Sequence, residues 1–80
     1  MISDAERAKL HVGYKQAVRA IGEDKAAKVF LAQDCDGHIR SEIETLASEK
    51  NTPVVTVDTM KELGSICQID VGASCAVILK

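Results

Sequence analysis

Apolar residues recur at helical spacing in two stretches of the chain and run together in three others. In Val12–Gly22, "VGYKQAVRAIG", Tyr14, Ala17, Val18 and Ile21 share one face, and Lys15, Gln16 and Arg19 share the other. That spacing predicts a helix over Tyr14–Ile21, stopped by Gly22 as its C-cap. Further on, Ile39, Ile43, Leu46 and Ala47 recur with Arg40, Glu42, Glu44 and Glu49 off their face. This predicts an amphipathic helix of about three turns, ended by Asn51, Thr52 and Pro53. Ser3 followed by Glu6, and Thr59 followed by Glu62, are capping boxes. They predict a short helix from about Asp4 to Leu10 and another running through about Cys67, with "LHV" as a short extended piece after the first.

The continuous runs are rich in β-branched residues. They predict strands at Ala27–Gln33, at Val54–Val57 and in "GASCAVILK" at the C-terminal end. "DCDG" reads as a turn, with Asp34 and Asp36 as caps for the helix that follows. Helices alternating with buried strands imply an α/β sandwich with helices on both faces of a small sheet.

Composition narrows this picture. A chain of 80 residues is read as one domain, 1–80, burying roughly 60% of its unfolded surface. Tyr14 and Phe30 are the only aromatics, so the core is expected to be aliphatic. The longest apolar run, Ala73–Leu79, falls far short of the ~20 residues of a membrane span. The start, "MISDAERAK", has no apolar stretch of the kind a secretory signal needs. Three cysteines, an odd number without a framework spacing, indicate reduced thiols and a cytoplasmic setting. Net charge is −2, but residues 1–30 carry six Lys/Arg against four acids, and residues 31–80 carry four against eight. This leaves room for a local basic patch in the first part of the chain.

Enzymatic motifs are not evident: there is no glycine-rich phosphate loop, no GxSxG and no HExxH. Cys35 and His38 stand at C-x-x-H spacing beside Asp34 and Asp36. A structural zinc site shows two paired ligand clusters, and only one pair is present, so a turn and helix cap is the better account. Nothing is arranged around the same pair for nucleophilic chemistry. His11 and Cys75 read as surface and core residues. No cofactor, metal or catalytic residue is expected.

Two features stand out. The helix at Tyr14 begins after Gly13 rather than a Ser, Thr, Asp or Asn cap, and it places Lys15 in its first turn, against the macrodipole. A solvated polar face would explain the charges. The alternative is an anion-facing helix start: Gly13 lets a partner approach, the free N–H groups attract anions, and Lys15 and Arg19 lie one turn apart with Gln16 between them. The second feature is the loop "QIDVGAS", where Ile69 and Val71 sit in a connection that should lie at the surface. They either tuck into the core or form an apolar platform suited to a splayed nucleotide.

Taken together, "VGYKQAVRAI", "VFLAQDCD", "MKELG" and "IDVGASCAVI", in this order and at these separations, resemble the kink-turn RNA-binding family of the ribosomal proteins L-seven-Ae and L-thirty-e. The similarity is greatest to its short bacterial members and covers nearly the whole chain. It implies a three-layer α/β/α sandwich around a small mixed sheet, and a non-catalytic protein that binds structured RNA at a sharp bend containing tandem sheared G·A pairs. On this resemblance Gly13, Lys15, Gln16 and Arg19 face the G·A pairs and Lys61 contacts phosphate. Ile69, Asp70, Val71 and Gly72 then pack on a protruding nucleotide. Archaeal and eukaryotic members carry Asn and Glu where this chain has Lys15 and Gln16, whereas the short bacterial members share the Lys-Gln pair. A monomer acting on kink-turn RNA, in the ribosome or elsewhere, is the corresponding expectation. The rival is a protein-interaction or regulatory module of the same fold.

Overall fold

Four strands form one mixed sheet in the order β1-β4-β2-β3. The computed structural model describes residues 2–80. Its elements are α1 (Asp4–Arg7), β1 (Leu10–Val12), α2 (Tyr14–Gly22), β2 (Ala26–Ala32), α3 (Gly37–Lys50), β3 (Val54–Val57), α4 (Met60–Ile66) and β4 (Cys75–Leu79). β2 and β3 pair in parallel, Val29 opposite Val54, and α3 supplies the crossover that parallel pairing requires. β4 runs antiparallel to both of its neighbours, with Phe30 opposite Ala76 and His11 opposite Val77.

Successive strand residues point to opposite faces of a sheet. Val29, Phe30, Leu31 and Ala32 are each at most 1% exposed, and Cys75 through Ile78 at most 3%. Both faces of the two central strands are therefore covered, which is the three-layer sandwich expected. On one side α2 and α3 pack together, joined by the Tyr14 hydroxyl, which donates to Glu42. α1 and α4 are linked by the Arg7 guanidinium, whose Nη1 lies 3.5 Å from the Ile66 carbonyl. Lys28 of β2 ties the sheet to α1 through Glu6 (Nζ–Oε2 2.7 Å).

The structure corrects the sequence reading at several boundaries. The capping box at Ser3 and Glu6 forms, but α1 ends at Arg7 rather than near Leu10. Leu10–Val12, expected as a short extended piece, forms an edge strand on β4, and the Lys9 carbonyl accepts from Leu79 N–H at 3.0 Å. Gly22 lies within α2 instead of capping it. The C-cap is Glu23, and Asp24 turns the chain at φ 59°. β2 covers Ala26–Ala32, one residue earlier than expected, and α3 runs to 14 residues, longer than three turns. β3 has the expected bounds, and Asn51 closes α3 in the left-handed region (φ 56°). Asp36 caps α3 by accepting from His38 N–H (2.8 Å). Asp34 does not cap α3: its carboxylate takes the N–H of Met60, at the start of α4, at 2.7 Å.

Candidate nucleic-acid interface

The strands β1, β2 and β3 end at the sheet edge where α2, α3 and α4 begin, and a chain of short bonds fixes that edge. Gly13 N–H donates to Cys75 O (2.9 Å), Ala32 N–H to Ser74 O (2.9 Å) and Gln33 N–H to Val57 O (2.8 Å). The start of α2 is thereby bonded to the first residue of β4, three positions after Gly72. This brings both features singled out in the sequence to one end of the molecule.

Gly13 holds φ 118° and ψ 158° and provides no side-chain cap for α2. A Cβ placed there would meet nothing within 4 Å. The glycine is thus required by backbone conformation, which L-residues rarely adopt, and not by crowding. Lys15 and Gln16 in the first turn are exposed. With no acidic residue in that turn, the positive end of the helix faces outward without a carboxylate of its own.

Arg19, one turn on, opens onto a cleft of about 220 Å³ between α2 and β1, lined also by His11, Gln16, Glu23 and Lys25. Its side chain is 79% exposed and lies 3.5 Å (Nε–Oε2) from Glu23, whose other oxygen is 3.3 Å from Lys25 Nζ. Lys25, and then Arg19, hold the Glu23 carboxyl below the usual carboxylate range. Sequence reasoning placed His11 merely on the surface. Its position in the cleft depends on β1 pairing with β4, a partner more than sixty residues away, and no local pattern signals that. The Arg19–Glu23 contact has a local signal, an acid four residues after a base on a helix.

The loop after α4 is built on two glycines. A Cβ on Gly64 would run into the Val71 carbonyl, and one on Gly72 would lie 3.2 Å from Met60 Cβ. Gln68 turns the chain at φ 60°, and Ile69 N–H and Ala73 N–H bond to Gly64 O and Met60 O, both at 3.0 Å. The loop is therefore seated backbone-first on α4. Val71 is 70% exposed and Ile69 36%, so these side chains do not tuck into the core. Asp70, Gly72 and, in the first turn of α4, Lys61 are exposed as well.

Cys35 and His38 are not brought together. Cys35 is buried, its Sγ 3.5 Å from Asp36 O, and burial pushes its thiol up. His38 is exposed, with Nε2 3.7 Å from Glu42 Oε2. Cys67 and Cys75 are buried core thiols, also raised by desolvation. Among the described residues no group of three or more His, Cys, Asp or Glu could hold a metal ion. No helix among them is long and apolar enough to cross a membrane.

A mixed four-stranded sheet between helix layers, with an uncapped helix start bonded beside an exposed apolar loop, defines a small α/β protein of three layers. By sequence, residues 3–80 match the model of the "Ribosomal protein L7Ae/L30e/S12e/Gadd45 family", and the chain belongs to that family. Among its relatives is an RNA-binding protein of Geobacillus kaustophilus, 46% identical over 72 residues, covering 90% of this chain and 88% of that one. RNA-binding protein YbxF of Geobacillus stearothermophilus is 43% identical over the same coverage. Of solved structures, a protein of unknown function from Bacillus halodurans superposes with a TM-score of 0.83 at 22% identity, over 95% of this chain and 77% of that one. A 15.5kD RNA binding protein of Giardia lamblia gives 0.78 at 25% identity, over 91% and 62%.

Proposed function

We propose that the protein binds structured RNA and recognises kink-turns, holding the bent conformer without catalysing a reaction. The observation that carries this reading is the Gly13–Cys75 bond, which sets the uncapped start of α2 beside the exposed Ile69–Gly72 loop. The family membership and the names of the relatives support it. In this reading the backbone at Gly13 admits the RNA, and Lys15, Gln16 and Arg19 meet the edges of the sheared G·A pairs in the widened groove. Lys61 meets a phosphate. Ile69 and Val71, with Asp70 and Gly72 completing the loop, pack on the protruding nucleotide. The mechanism is selection: a ligand favours whichever conformer it binds better, and an unbent duplex does not open the groove to the helix. The protein acts as a monomer on cytoplasmic RNA, in the ribosome or elsewhere.

The test is affinity for a kink-turn duplex against a control in which Watson–Crick pairs replace the G·A pairs. The kink-turn is expected to bind tighter, and Arg19→Ala to weaken it by about 1–3 kcal/mol, the usual worth of a base-directed contact. Equal affinity for the two duplexes overturns the reading. Nuclease-resistant capture of a protein, with no salt-dependent RNA binding, would select the interaction-module alternative.

A further inference from the structure

Arg19 and Lys25 are the two cations of the α2–β1 cleft, and both are bound to one carboxylate, Glu23, at 3.5 and 3.3 Å. Their side chains are 79% and 69% exposed, so solvent and any incoming anion reach them freely. Beside this pair, Asp24 holds Lys80 at 3.3 Å. The turn between α2 and β2, at the far end of the helix from Gly13, thus places acids among the cations of the cleft onto which Arg19 opens.

We infer that Glu23 is an affinity-setting residue of the RNA site, an internal competitor that occupies Arg19 and Lys25 until RNA displaces it. The inference rests on the RNA-binding reading above. Exposed ion pairs of this kind are worth little individually, so Glu23 does not lock the cations away. A partner must nevertheless break its contacts and tolerate a negative charge in the cleft. A generic polyanion offers only phosphates in exchange. A ligand that also fills the helix start and the apolar loop has other contacts to offset the loss. Glu23 therefore weakens binding to all RNA by a similar factor, which leaves a ligand that offers only phosphates unbound at concentrations where a better-furnished one still binds.

The variant Glu23→Gln keeps the size and hydrogen-bonding reach of the side chain and removes its charge. A control of the same type exists on α3, where Glu44 pairs with Arg40 four residues before it at 3.8 Å, outside the cleft. The experiment measures binding of the parent, E23Q and E44Q to the kink-turn duplex and to the Watson–Crick control across a salt series. E23Q is expected to bind both RNAs more tightly, about three- to tenfold for each. Its salt slope should steepen by roughly one to two, as released cations reach phosphates. E44Q should match the parent. Unchanged or weaker binding by E23Q overturns the inference, weaker binding meaning that Glu23 instead holds Arg19 in its binding pose. An equal gain in E44Q overturns it too, because net charge alone then accounts for the effect. If the parent fails to distinguish the two RNAs while E23Q gains on both, the kink-turn reading falls and the role of Glu23 in weakening RNA binding stands. If none of the three binds RNA, both fall.

Discussion

Gly13 donates its N–H to the carbonyl of Cys75 at 2.9 Å while holding φ at 118°. One residue thereby ends β1, starts α2 and ties the helix to the central strand. Gly13→Ala puts a Cβ into open space but into a backbone region that is essentially reserved for glycine. A loss of about 1–3 kcal/mol in urea unfolding is expected. Stability equal to the parent would mean that the helix start relaxes to another conformation.

Gly64 and Val71 separate the seating of the loop from its exposed surface. Gly64→Ala drives a Cβ into the Val71 carbonyl, which is backbone and cannot rotate away. Overpacking of this kind costs about 1–3 kcal/mol, and the displaced loop should lose RNA affinity. Val71→Ser changes a side chain that is 70% exposed. Its stability should stay within about 0.5 kcal/mol of the parent, while RNA affinity falls by on the order of 1 kcal/mol through lost apolar contact. Chemical denaturation and RNA titration of both variants check the contrast; a V71S variant that binds like the parent removes Val71 from the site.

The Lys28–Glu6 pair makes stability depend on acid. Lys28, followed by the Ser3 backbone N–H, holds the Glu6 carboxyl below its usual range. A depressed carboxylate contributes stability that is present above its unfolded pKa and is lost as pH falls through its folded one. Lys28→Met should therefore be less stable than the parent near neutrality, with the difference shrinking between about pH 6 and pH 3. Denaturation midpoints across that range read it directly, and a constant difference would assign the cost of the variant to packing against Phe30, whose ring centroid lies 6.0 Å from Lys28 Nζ.

What was legible in the sequence was local. The caps at Ser3, Asp36 and Thr59, the face of α2 and the bounds of β3 all follow from residues within one turn or one strand of each other. Other features depend on partners or turns that the residue pattern does not show. "LHV" was readable as an extended piece, but its place at the edge of the sheet exists because β4 pairs with it. Asp34 looks like a cap for the next helix, yet its carboxylate serves Met60, 26 positions on. Gly22 resembles a C-cap, but Lys25 N–H bonds to Ala20 O and the left-handed turn falls on Asp24. At the site, the residue types of α2 and the 69–72 loop were readable, but their common edge was not. That edge is made by β4 passing between β1 and β2, a consequence of sheet order.

The central claim is that the protein selects a bent RNA, and energy transfer between dyes on the two arms of a kink-turn duplex measures this most directly. Under conditions where the free duplex is mostly extended, adding the protein should raise transfer to the value of the kinked form. The duplex with Watson–Crick pairs in place of G·A pairs should not respond. Moving such an equilibrium from 1:99 to 99:1 requires about 10⁴-fold tighter binding to the bent state, so even a partial rise is informative. Binding without any change in transfer, or the same change in both duplexes, would contradict the account.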